Sequence, residues 1–141
     1  MISLILNLIW LVFGGIVMFL GWMVAGVLMV ISIIGIPWAR SAFTIGVYAL
    51  WPFGRTAVDR SRLSGQQDLG TGPMGTVGNI LWFLVAGWWL ALGHLGSAIA
   101  CAVTIIGLPL AWAHLKLAVI SLAPIGKTVI DADQADRLPP G

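Results

Sequence analysis

The sequence has no glutamate, one cysteine and one tyrosine among its 141 residues, with five aspartates and seven Lys or Arg. Each shortage excludes something. The aspartates are Asp59, Asp68, Asp131, Asp133 and Asp136, so the long apolar stretches that make up most of the chain hold no carboxylate. A paired-carboxylate acid–base centre, a buried ion pair and an acid to couple protons or sodium are therefore missing from those stretches. A lone Cys101 excludes an intramolecular disulfide and a cysteine-rich metal site. His94 and His114, without a third ligand nearby, make no metal site either. The net charge is only +2, and no basic patch is interleaved with exposed aromatics, which argues against nucleic acid as a partner. Charged residues make up 9% of the chain, against about 25% in a soluble domain. That is too little polar surface for water.

What the chain does have is a repeat. Residues 7–55 recur without a gap at 79–127, with 14 of the 49 aligned positions identical. Asn7 falls on Asn79, Trp10 on Trp82 and Gly15 on Gly87. Ile33-Ile34-Gly35 falls on Ile105-Ile106-Gly107, Pro37 on Pro109, and Pro52 and Gly54 on Pro124 and Gly126. Hydrophobic residues make up 60% of the chain and mean hydropathy is +1.03. Each copy is apolar for about 50 residues, where one helical crossing needs about 20. Up to Arg55 the only charged side chain is Arg40, and from Met74 to Ile125 only His94, His114 and Lys116 can carry charge. The expected class is an all-α integral membrane protein built as two tandem repeats: 1–55, a polar linker 56–75, 76–127, and a flexible tail 128–141. No Lys or Arg precedes the first apolar run, so no cleaved signal peptide is expected, and the first helix would act as insertion signal.

Within each copy, helices are expected over 3–20 and 76–92, with glycine turns at 21–26 and 93–96. A second helix from Val27 then breaks at Gly35-Ile36-Pro37, and its counterpart breaks at Gly107-Leu108-Pro109, because proline removes a backbone donor and clashes with the preceding turn. Short amphipathic pieces follow over 38–51 and 110–123. At 14 residues such a piece is about 21 Å long, too short to span alone. Paired breaks can either bend each helix at the interface or build a central site, as in some transporters. Lys and Arg near membrane ends favour the cytoplasm. Arg55, Arg60 and Arg62 follow one copy, and Lys127 and Arg137 follow the other. This favours two parallel hairpins with termini and linker cytoplasmic, over inverted copies that each cross once.

Polar residues inside the apolar blocks are the candidates for function. Arg40, Ser41, Thr44 and Tyr48 form a narrow stripe on the first short piece, and His114, Lys116 and Ser121 add polarity to the second. Arg40 and Lys116 read either as pore-lining cations or as side chains snorkelling to lipid phosphates. His94, in a glycine turn beside Trp88 and Trp89, reads as a solvated loop histidine. Asn7 and Asn79 either find partners through helix packing or start helices at the surface. Gly14, Gly15, Gly46 and Gly87 are read as close-packing positions. No nucleophile–base set is visible, and Gly70 to Gly78 lacks the Lys-Ser/Thr of a phosphate loop, so neither enzyme activity nor a cofactor is expected.

Asn-Ile-Leu-Trp at 79–82, Gly87-Trp88-Trp89-Leu90, Ile105 to Pro109 and Pro124-Ile125-Gly126-Lys127 together resemble the YccF family of bacterial inner-membrane proteins. Asn7 to Trp10, Gly21-Trp22, Ile33 to Pro37 and Pro52 to Arg55 carry the likeness in the first copy. The resemblance spans residues 1–130. It implies a bacterial inner-membrane location and a duplicated domain, and it carries no catalytic residue over. From the residues themselves we expect a homo-oligomer forming a channel-like assembly for ions or small solutes. The alternative is a non-transporting scaffold that binds anionic lipid headgroups or a membrane partner through the short helices. A secondary transporter ranks last.

Overall fold

A computed structural model describes residues 1–139. The first element, α1 (Ile2–Ile31), is helical over 30 residues with a kink at Gly14, whose φ of 169° and ψ of −23° leave the helical region. It runs straight through the turn expected at 21–26. A Cβ placed on Gly26 would lie 2.7 Å from the Phe43 ring, so this glycine admits a neighbouring ring and does not turn the chain. Apolar surroundings reinforce this, because in lipid a helix keeps its backbone groups paired internally. The second long helix, α4 (Pro73–Ala102), likewise contains residues 93–96. Both long helices widen into a π turn near the middle, at Leu11–Gly15 and Phe83–Gly87. Both are long and apolar enough to cross a bilayer.

The bends come at the Gly-Ile/Leu-Pro motifs. Pro37 lies in the first turn of α2 (Ile36–Leu50), and Pro109 near the start of α5 (Gly107–Leu122). There proline's missing N–H costs nothing. Each motif thus opens a helix and does not break one. Ser32 Oγ accepts from Gly35 N–H at 3.1 Å and donates to Met29 O at 2.7 Å, and Thr104 Oγ1 accepts from Gly107 N–H at 3.0 Å. Every repeat is a long helix folded back on a short one.

The segments read as linker and flexible tail contain regular elements, and residues 140 and 141 of that tail lie outside the described residues. Residues 55–59 form β1 (Arg55–Asp59), followed by α3 (Arg60–Ser64), and residues 127–131 form β2 (Lys127–Asp131), followed by α6 (Ala132–Ala135). Gly54 and Gly126 have φ of 85° and 90°, left-handed values that favour glycine, and each turns the chain back along the helices. The strands pair antiparallel with Ala57 opposite Val129. Those two residues are repeat partners, so a pseudo-twofold axis passes between them.

Helix contacts show how the halves are oriented. Gly78, near the start of α4, lies against Trp38 at the start of α2. One residue on, Asn79 bonds Ile125, beyond the end of α5. Along α4, then, α2 and α5 run in opposite directions. The copies are inverted along the helix direction, not parallel as the charge count favours. That count assumes linker and tail hang from one end of the bundle, whereas both fold back beside it as strands. The core between the halves holds Trp10, Trp22, Trp82, Tyr48, Met29, Ile45 and Leu117. Val12, Ile16, Leu20, Val24 and Ile31 face outward along α1.

Candidate functional site

The buried polar groups gather where the two halves meet. Trp22 Nε1–H donates to His94 Nε2 at 3.1 Å, and His94 Nδ1 lies 3.1 Å from His114 Nδ1. An indole nitrogen can only donate, so His94 Nε2 must accept. For two neutral rings, His94 then carries its proton on Nδ1 and gives it to His114 Nδ1, leaving His114 with Nε2–H. That nitrogen faces Gly14, whose added Cβ would stand 3.4 Å away. Aromatic rings close the cluster: Trp22 stacks on Trp82 at 5.4 Å between centroids, and Trp10 tilts against His114 at 4.4 Å. His94 is therefore a fully buried helical residue and not a solvated turn. No three His, Cys, Asp or Glu side chains converge to hold a metal among the described residues.

Two matched contacts tie each half together. Asn7 Nδ2 donates to Phe53 O and its Oδ1 accepts from Phe53 N–H, both at 3.0 Å. Asn79 repeats this on Ile125, at 3.5 and 2.9 Å. Trp10 Nε1–H donates to Ala49 O, and Trp82 Nε1–H to Ser121 O, each at 2.7 Å. These side chains satisfy the backbone where the short helices end and the chain becomes irregular, which buried surroundings require. Gly15 and Gly87 make room for the rings: added Cβ atoms would come 2.5 Å from Trp10 and 2.8 Å from Ser121 O. At Gly46 an added Cβ would collide with Met23.

The expected polar stripe on α2 is divided. Ser41 and Tyr48 are buried, with Tyr48 OH donating to Arg55 O at 3.3 Å. Thr44 bonds back to Arg40 O at 3.0 Å. Arg40 points outward and pairs with no carboxylate among the described residues. On α5, His114 is inside and Lys116 half-exposed. Arg40 and Lys116 sit on the short helices of different halves.

Charges collect around the sheet instead. Lys127 Nζ pairs with Asp59 at 2.9 Å across the strands, and Arg60 holds Asp68 with two bonds at 2.9 and 3.0 Å. The Arg60 hydrogen bond, then the Gly70 N–H, keep the exposed Asp68 carboxyl well below the usual carboxylate range. Arg62 reaches Pro139 O at 2.8 Å, so linker, strands and tail form one charged face. The Trp22–His94 pair escapes a residue-by-residue reading. Its available signal is that the two residues occupy the same position in the two copies.

Comparison with known proteins agrees with the duplication. The family model described as YccF, inner membrane component domain, matches residues 5–55 and again 77–127. The chain is 38% identical over 134 residues to "Inner membrane protein YccF" of Escherichia coli (strain K12), covering 93% of this chain and 89% of that one, and equally to the protein of that name from Shigella flexneri. No solved structure matches. With both halves matched and nearly its whole length aligned, the chain belongs to the YccF family and is a small inner-membrane protein.

Proposed function

We propose that the protein is a non-transporting membrane scaffold that engages anionic lipid headgroups through Arg40 and Lys116. The exposed Arg40 and the partly buried Lys116, on short helices from opposite halves, carry this reading. A cation on an apolar helix face reaches for phosphate while its stem stays among acyl chains. The core supports it too, since Trp10, Trp22, Trp82, Tyr48 and the two histidines occupy the space between the halves. The test is native mass spectrometry of protein released from lipid nanodiscs. Wild type should retain anionic phospholipid, and the Arg40→Ala/Lys116→Ala variant should lose most of it. Equal retention would remove the role.

A channel-like assembly of several copies is the second reading, favoured by the charged face beside the sheet. If the long helices stood across the bilayer, that face would need water, and several copies could enclose it. The mass in mild detergent tests this: a closed oligomer whose flux changes in Arg40→Ala would favour the channel, and a monomer would exclude it.

A further inference from the structure

We propose that the protein lies within one leaflet, with its pseudo-twofold axis along the bilayer normal and the charged sheet face in water, instead of standing across the membrane. Its counterpart is the acyl region of a single leaflet. The proposal rests on the hairpin tips and the position of the sheet, so it is independent of whether Arg40 and Lys116 bind headgroups.

The tips are built for hydrocarbon. Residues 31–37 and 103–109 contain no charge, and their polar side chains, Ser32 and Thr104, are turned inward onto their own backbone. In the first tip the turn amides pair locally, Ile33 N–H with Val30 O, Ile34 with Ser32 O and Ile36 with Ile33 O, and in the second Thr104 N–H pairs with Cys101 O and Leu108 with Ile105 O. Irregular backbone that bonds within itself is what a non-aqueous surrounding demands. The residues offered outward are Ile33, 73% exposed, Ile34, Val103, Ile105, 86% exposed, and Ile106. Ile33 even holds a left-handed φ of 64°, strained for a β-branched residue.

The sheet sets the second condition. Ala57 and Val129 lie on the pseudo-twofold axis, as do Trp22 and His94, so the sheet stands at mid-length of the bundle. Inversion puts the two tips at its opposite ends. If the long helices spanned the bilayer, the tips would emerge on opposite surfaces and present five large aliphatic side chains to water. Arg55, Asp59, Lys127 and Asp131 end five-residue strands, so they would sit within about 8 Å of the midplane at about 3.3 Å per residue. Charges at that depth are strongly disfavoured. Laying the helices in the leaflet removes both conflicts. Tips and outward stripes then meet acyl chains, and the charged face meets water.

The test uses single cysteines in a Cys101→Ser background, at Ile33, Ile105 and Gln66, with a membrane-impermeant maleimide applied to spheroplasts and to inverted vesicles. Gln66→Cys should label from one side only. Ile33→Cys and Ile105→Cys should resist labelling from both sides and react after detergent is added. Labelling of the two tips from opposite sides would overturn the proposal, as would labelling of either tip from the side that reaches Gln66. Ile34→Cys and Ile106→Cys repeat the measurement if either first variant fails to accumulate.

Discussion

Trp22 and His94 hold the same position in the two repeats, 72 residues apart, and bond to each other, indole Nε1–H to imidazole Nε2 at 3.1 Å. The exchange of tryptophan for histidine at a matched site turns a point on the pseudo-symmetry axis into a donor–acceptor pair. Two tryptophans there would offer two donors and no acceptor.

Replacing His94 therefore strands a donor. His94→Ala leaves the Trp22 N–H unpaired and opens a cavity, and should cost about 2–4 kcal/mol. His94→Gln, which keeps an acceptor, should cost less. Unfolding in detergent followed by tryptophan fluorescence measures both, and equal midpoints for His94→Ala and wild type would contradict the pairing.

Asn7 and Asn79 should be unequal. Asn7 makes two bonds of 3.0 Å to Phe53, while one of the Asn79 bonds to Ile125 stretches to 3.5 Å. Each substitution to Leu exposes backbone groups at a short-helix end, with an expected loss of about 1–3 kcal/mol, larger for Asn7→Leu. Hydrogen exchange at Phe53 and Ile125 should quicken only in the variant of the matching half.

The glycines of α4 should separate sharply. An added Cβ at Gly87 meets Ser121 O at 2.8 Å, whereas Gly93 and Gly96 have nothing within 4 Å. Gly87→Ala should destabilise by about 1–3 kcal/mol. Gly93→Ala should be neutral or raise stability by up to about 1 kcal/mol through helix propensity. Thermal unfolding of the two variants decides it, and a neutral Gly87→Ala would sink the close approach.

The linker should resist acid. Because the folded carboxyl of Asp68 titrates below the usual range, its contribution is present above the unfolded value and disappears only as pH falls through the lower folded one. Residues 60–72 should keep their exchange protection at pH 4 and lose it at more acid values. Asp68→Asn should lose it already at neutral pH with little change in global stability, since the pair is solvent-exposed.

Some of this architecture can be read from the chain and some cannot. The duplication is plain because Asn, Trp, Gly and Pro are retained at one fixed spacing. Pro37 and Pro109 mark the bends for a local reason that acts in any fold. Gly21, Gly26, Gly93 and Gly96 mislead, because a glycine that turns the chain looks the same in one sequence as one that stays helical, whether it meets a neighbour's ring, as Gly26 does, or open space, as Gly93 and Gly96 do. The strands hide inside charged segments, and their pairing joins residues 72 positions apart, beyond any local pattern. The inverted direction of the halves shows only in contacts between them, such as Gly78 against Trp38. His94 is legible only once the copies are laid over each other.

The strand pair carries a consequence for how such a chain arises. Each half brings one strand, and Ala57 finds its hydrogen-bonding neighbour only in the other half. A single repeat would leave that edge open and half the tryptophan core bare, so it could persist only by joining an identical twin. The two-copy chain therefore has the symmetry of a homodimer held in one chain, in which positions 22 and 94 can differ as those of identical subunits could not. Once that symmetry was broken, a contact between equals became a bond between unlike partners.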